Sequence, residues 1–437
     1  MSSKQKVFEY LDNNKGELVE FMKSLVRIPS INHTFGGDEK TVQDRLANSL
    51  RSLDFAEVEQ FAVDAEQVRP NVVAVMRGEG GGKSLLFNGH MDVVPIAEPQ
   101  KWHSDPFEPT QEGNKIYGRG TSDMKGGVSA AIWAMKAIKD CGISLRGDVL
   151  LQAVTGEESN EAEEIGTVQC LKRGYTADFA VVCEPSDLEL HTASVGLFFF
   201  ELIVEGKAVH ISARNQVLFP QPAGVPSGPE VGVDAFKKSL PFVNYFYSLE
   251  EQWNHRWRDA VLGAGGSPGH DVQGVGLFTI NPSFIDGGEY LGSVPAKVKL
   301  TYGVWYPDQL VKKEELWEEI RRGVEALAST DDFLRKNPPK LTVPVLQEWQ
   351  GFHVPADHAG VRTMMGAIAD VKECRAVLSG FRAVCDAAYL NKHGVPAVVF
   401  GPGSLSWSVH GENEYITVDS LVAAAKVYAS MMMDWCQ

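Results

Sequence analysis

Short, almost wholly apolar runs recur along the first half of this chain, separated by stretches with helical periodicity. Asn71 to Met76, Ser84 to Phe87, Asp148 to Thr155 and Ala177 to Cys183 are the clearest runs. They have strand length, and none shows the i, i+3, i+4 spacing of an amphipathic helix. Gly126 to Ile138 reads as a helix between two of them, and the first 55 residues read as two amphipathic helices, the second with Val42, Leu46, Leu50 and Leu53 on one face. Strands alternating with helices fold as an α/β domain, a mostly parallel sheet flanked by helices, whose ligands gather beyond the carboxyl ends of the strands.

At 437 residues the chain exceeds one ordinary core, and 44% apolar content can build two. The texture changes near Thr192. Val195 to Val204 suggests a strand, Gln221 to Glu230 (QPAGVPSGPE) a loop, and Val233 to Trp257 a helix. A strand at Val298 to Val304, a helix around Leu316, Trp317, Ile320, Val324 and Leu327, and a strand at Leu341 to Leu346 complete a smaller α+β unit. The α/β character then returns with a helix at Ala359 to Ala369, a strand at Ala397 to Phe400 and a helix from Val418 to Trp435. The expected organisation is a first domain in two parts, residues 1–191 and 348–437, with a smaller domain, 192–347, inserted between them.

Charge and cysteine usage narrow the partners. A net charge of -16 disfavours nucleic acid and anionic membranes, which need a basic face. No window approaches the ~20 apolar residues of a membrane span. Six cysteines without CxxC spacing, and an N-terminus (MSSKQKVFEY) lacking the apolar stretch of a secretory signal, suit a reducing, cytoplasmic setting. The expected partner is a small-molecule substrate.

The residues at the strand ends carry the chemical signal. His90 closes one run, with Asp92 two residues on and on the same side of an extended chain; a metal-bound imidazole commonly gives its other N–H to such a carboxylate. Asp123 sits in the glycine-dense loop Tyr117 to Gly127 (YGRGTSDMKGG) leading into a helix. Glu157 and Glu158 follow another run; their side chains diverge, so one can hold a metal while the other faces a substrate. Glu184 follows a fourth, and His410 comes late, before the closing helix. Each feature alone is more often structural, the loop acid as an N-cap and the glutamate pair as a solvated surface. Together, imidazoles and carboxylates converging on one sheet edge suit zinc, manganese or cobalt, and an aspartate can bridge two such ions.

These motifs, GHMDVVP (Gly89 to Pro95), YGRGTSDMKGG, TGEES (Thr155 to Ser159), CEPS (Cys183 to Ser186), GKAVH (Gly206 to His210) and FGPG followed by His410, closely resemble those of the M20 metallopeptidase family over nearly the whole chain. The family includes acetylornithine deacetylase, succinyl-diaminopimelate desuccinylase, aminoacylases and glutamate carboxypeptidases. The resemblance implies a metal-dependent hydrolase cleaving the C–N amide bond of an N-acyl amino acid, short peptide or related compound. It implies one metal held by His90, Asp123 and Glu184, a second by Asp123, Glu158 and His410, and Asp123 as the bridge. It further implies Glu157 as general base, Asp92 orienting His90, one or two divalent ions with zinc first and manganese or cobalt as alternatives, and a lid that forms a homodimer and brings His210 to the partner's site.

The substrate side departs from the family pattern. Gly292 and Ser293 precede Val294 and Pro295, where many relatives have an asparagine, and Trp305 takes the place of an arginine that clamps a substrate carboxylate. An indole offers stacking area instead of a bidentate hold. Phe198, Phe199, Phe200 and Tyr306 lie nearby in sequence, and Arg214 is a substitute anion anchor. The expected substrate has an aromatic or otherwise apolar portion. Two alternatives stand beside amide hydrolysis: hydrolytic deamination of a small aromatic amine at the same centre, and a non-catalytic binding protein that kept the fold.

Overall fold

The computed structural model describes residues 2–55, 57–259, 261–262, 276–343, 348–372 and 376–437. Two compact units emerge. One comprises the chain up to Ser194 together with Phe352–Gln437, and the other lies between Val195 and Gly351.

The first unit is α/β. Among the described residues its sheet has eight strands in the order Glu57–Phe61, Asn71–Met76, Val149–Val154, Leu85–His90, Phe179–Val182, Ala397–Val399, Leu190–Ser194 and Leu378–Phe381. The sheet is mixed. Its centre, from Val149–Val154 to Ala397–Val399, runs parallel, as does the outer pair Leu190–Ser194 with Leu378–Phe381. The first two strands are antiparallel, and so is the contact of Ala397–Val399 with Leu190–Ser194. The central strands are buried on both faces, which explains their largely apolar sequences.

Helices Gly126–Asp140, Ala359–Lys372 and Val418–Trp435 pack together over the sheet and are buried along much of their length. The N-terminal segment holds three helices rather than two, Ser3–Asn13, Lys15–Val26 and Lys40–Ser52. Asn14 makes the extra break: its side-chain amide donates to the Tyr10 carbonyl at 2.7 Å and ends the first helix, while apolar spacing continues beyond it.

The second unit has a four-stranded antiparallel sheet in the order Thr279–Gly287, Lys297–Tyr306, Gly196–Glu205 and Lys340–Thr342, with helices Ala235–Arg256 and Lys313–Ser329. Phe198, Phe200, Tyr302 and Tyr306 are buried on one face; Phe200 stacks on Tyr302 and meets Phe246 from the long helix. Phe198, Phe200 and Tyr306 are therefore core residues. Strand alternation puts Phe199 and Trp305 on the opposite, half-exposed face. The border expected near Leu346 lies outside the described residues.

Candidate active site

Strand register gathers the carboxyl ends. His90 pairs with Val154, and Asn88 with both Gln152 and Val182, so His90, the Glu157–Glu158 pair and Glu184 leave adjacent parallel strands at one edge. Asp123 enters from the turn that precedes helix Gly126–Asp140. The two glycines opening that helix make the approach possible. A Cβ on Gly127 would lie 1.9 Å from the Cys183 carbonyl oxygen, and one on Gly126 would lie 2.4 Å from that of Thr121. Only a bare backbone brings the helix start against the strand end that carries Glu184.

The two oxygens of Asp123 face two different histidines. Oδ1 lies 3.1 Å from His90 Nε2, and Oδ2 lies 3.2 Å from His410 Nε2. His410 Nε2 is also 3.2 Å from Glu158 Oε2. On the other side His90 Nε2 lies 3.7 Å from Glu184 Oε1 and 3.9 Å from Glu157 Oε2. Ligand atoms of His90, Asp123 and Glu158, and likewise those of His90, Glu157 and Glu184, lie within 4.8 Å of one another.

His90 Nδ1 donates to the main-chain carbonyl of Asp92 at 2.9 Å, while the Asp92 carboxylate stands 3.8 Å from that nitrogen. That bond fixes the tautomer: a neutral His90 presents the Nε2 lone pair to the carboxylates. Asp92 Oδ2 instead accepts from the Asn32 amide at 2.7 Å and from the Glu158 N–H at 3.1 Å, so Asp92 ties the two ligand-bearing loops together.

The electrostatics call for cations. Burial pushes the carboxyls of Glu157 and Glu184 well above the usual range; repulsion from Glu184 and Asp386 adds to this at Glu157, and repulsion from Asp123 at Glu184, while His90 opposes both. Burial and Asp123 raise Glu158 as well. Burial acts the same way on Asp123, but hydrogen bonds from His410 and His90 outweigh it and hold this group below the usual range. Hydrogen bonds to Asp123 and Glu158 push His410 up to about 11. Among the described residues, the ion partners of these four carboxylates are histidines only. Four clustered acids with two imidazoles and no lysine or arginine fit divalent metal ions, which need hard oxygen and imidazole donors and would neutralise the charge.

Supporting groups that sequence reasoning missed lie behind this layer. Glu39 accepts from the Gly156 N–H at 3.0 Å and pairs with buried Arg69, which also meets Glu161 at 2.8 Å. Asp386 accepts from Thr167, and burial raises it to about 6. Arg119 and Glu414 form a buried pair beneath Asp123. Arg119 lies inside the glycine-rich motif and Glu414 four residues past His410, so these two had a local signal; Glu39, Arg69 and Asp386 had none.

In the second unit, His210 is exposed, with Nδ1 at 2.9 Å from Ser212 Oγ. Arg214 is engaged with Asp234 at 2.7 Å. The Gly292 carbonyl accepts from the Ile211 N–H at 2.8 Å. Trp305 is half-buried on the open sheet face near Phe199, which meets Trp349 edge-on at 6.4 Å.

Comparison with known proteins gives one consistent family. Residues 86–434 match the description Peptidase family M20/M25/M40. The chain is 30% identical to N-formyl-4-amino-5-aminomethyl-2-methylpyrimidine deformylase of Bacillus subtilis, covering 98% of this chain and 96% of that one. The structure of aminopeptidase PepT from Bacillus cereus superposes with a TM-score of 0.71 at 19% identity, over 97% of this chain and 99% of the other. The Bacillus subtilis YXEP protein, a dinuclear metal binding peptidase, superposes with a TM-score of 0.61 at 14% identity, over 97% and 99% of the two chains.

Proposed function

The chain belongs to peptidase family M20/M25/M40 and is a metal-dependent hydrolase acting on C–N amide bonds, and from that premise we propose that it removes a small acyl group, formyl first, from the amine of a flat heteroaromatic compound. The observation that carries the catalytic part is Asp123, with one carboxylate oxygen toward each of two histidines. In this reading His90, Asp123 and Glu184 hold one divalent ion and Asp123, Glu158 and His410 a second, with zinc the first choice and manganese or cobalt as alternatives. Bound there, the ions polarise the amide carbonyl and make water a better nucleophile at neutral pH.

Glu157 is the proton carrier. It stands beside the proposed ligands, its ion partner among the described residues is His90, and burial raises its carboxyl, so the ionised group has a strong affinity for the proton it accepts during the reaction. It takes that proton from the attacking water and returns it to the leaving nitrogen.

Two observations support the substrate class. The Bacillus subtilis relative is by name a deformylase of an aminomethylpyrimidine. In the second unit Trp305 and Phe199 present aromatic surface on one sheet face, where a ring can stack. Arg214 has Asp234 as a partner and is a poorer candidate for anchoring a substrate anion.

The second unit also supports a homodimer. Thr279–Gly287 is an edge strand, and Phe284, Ile285, Tyr290 and Leu291 on it and after it are exposed. An apolar edge of this kind is covered by pairing with a second copy, and in the family picture His210 then serves the partner's site.

The test is release of formate from N-formyl-4-amino-5-aminomethyl-2-methylpyrimidine, compared with N-acetyl amino acids, N-succinyl amino acids and dipeptides. The proposal expects formate plus free amine, with no ammonia, and the highest kcat/KM for the formyl heteroaromatic. Faster turnover of N-acyl amino acids or dipeptides would overturn the substrate class.

A further inference from the structure

His410 must be aimed, yet its side chain is 54% exposed and makes its two ion contacts at one end only. Its direction therefore comes from its backbone, which is held at φ 62°, a left-handed conformation uncommon outside glycine. Asp123 has the same need, because it lies in an irregular turn and each of its oxygens serves a different histidine.

One buried ion pair touches the backbone at both places. Glu414 is completely buried, and its carboxylate receives four donors. Oε1 accepts from the N–H groups of Ser122 at 2.9 Å and Asp123 itself at 3.1 Å. Oε2 accepts from the Gly120 N–H at 3.1 Å and from Arg119 Nη1 at 2.6 Å. The other arm of the fork, Arg119 Nη2, donates to the carbonyl of Gly411, next to His410, at 3.1 Å. A single guanidinium thus joins the Asp123 turn, through Glu414, to the His410 loop. The strand contact between Tyr117 and Tyr415 and the bond from Ser122 Oγ to the Tyr415 carbonyl at 2.8 Å hold the two segments in the same register.

We propose that Arg119 and Glu414 are positioning residues that set the spacing between Asp123 and His410, and with it the affinity of the centre for divalent ions. The inference rests on the metal-dependent reading above. Only a planar fork can serve an acid and a carbonyl in two segments at once, so lysine is not an equivalent at position 119. Groups behind a ligand shell typically change metal affinity by about 10–100-fold, and a change of that size is expected here.

The experiment titrates Co2+ into the full-length metal-free protein, by chelator competition and by visible absorption, for wild type, Arg119→Lys and the double variant Arg119→Met with Glu414→Gln. The double variant leaves no lone buried charge, and the glutamine keeps an acceptor for the turn. The expected result is Co2+ binding weakened about 10–100-fold in the double variant and several-fold in Arg119→Lys, with altered absorption bands and kcat reduced more than KM is raised. Should the double variant fail to fold, Arg119→Lys decides alone, because it keeps a cation opposite Glu414. Wild-type affinity and spectrum in a folded Arg119→Lys or double variant would overturn the clamp while leaving the metal-dependent reading intact. Failure of wild type to bind Co2+ would overturn that reading, and the clamp with it.

Discussion

Gly127→Ala is the substitution with the largest consequence for the least added mass. The new Cβ would sit 1.9 Å from the main-chain oxygen of Cys183 and 2.9 Å from its Cβ, whereas ordinary contacts begin near 3.4 Å. Neither neighbour is the end of a flexible side chain, so the helix start and the strand end must part by more than an ångström. Overpacking of a well-filled core costs about 1–3 kcal/mol, and a backbone clash belongs at the upper end. At roughly 2–4 °C per kcal/mol for a unit of this size, the melting temperature should fall by about 6–12 °C. The same displacement moves Glu184, one residue from the clash, relative to Asp123, and misplacement of about 1 Å costs on the order of 100-fold in rate. Gly366→Ala is the control: it lies exposed within helix Ala359–Lys372, nothing is within 4 Å of its added Cβ, and it should be neutral or stabilise by about 0.5–1 kcal/mol. The assays are thermal unfolding and kcat on the best substrate. A Gly127→Ala protein as stable and active as wild type would refute the close-approach argument.

Other expectations are independent of that one. Burial lowers buried His191 to about 4, so as pH falls from 6.5 toward 4 the unfolded chain takes up a proton that the folded chain refuses, and stability drops by about 3 kcal/mol across that window. In metal-free protein His191→Gln should flatten the pH dependence of the unfolding free energy between those values; an unchanged slope would show that His191 does not titrate as described. Leu291→Glu together with Phe284→Glu should give a monomer in sedimentation if the exposed edge is a dimer surface, and an unchanged mass would remove that surface from consideration. Trp305→Ala should raise KM for a heteroaromatic substrate by at least about 2–10-fold, since a stacked ring contributes about 0.5–1.5 kcal/mol beyond area burial, and a KM indistinguishable from wild type would exclude stacking there.

The parts of the fold legible in the sequence are those whose signal is local. Val149–Val154 and Phe179–Val182 are buried on both faces and wholly or almost wholly apolar, so strand and site edge could be read together. Several strands of mixed character were not legible. Glu57–Phe61 (EVEQF) is half-buried and polar, Leu190–Ser194 (LHTAS) is polar in sequence yet fully buried, and Thr279–Gly287 contains proline, aspartate and glycine on an exposed edge. Their pairing is decided by neighbours distant in sequence. His90, Glu158, Glu184 and Asp123 were legible as ligand candidates because they follow strands or sit in a glycine-rich turn, whereas His410 rested on the family motif. The supports Glu39 and Asp386 were not legible, because their contacts span long separations: Glu39 reaches Gly156 and Asp386 reaches Thr167.

The most direct test of the central claim compares wild type with Glu157→Gln for metal content and turnover of the same formyl amide. The account predicts that both proteins bind one or two divalent ions, and that only wild type releases formate, the variant being slower by at least about 100-fold, the lower end of what a positioned proton carrier contributes. A Glu157→Gln protein that binds metal and turns over at the wild-type rate would contradict the assignment of Glu157 and the mechanism built on it.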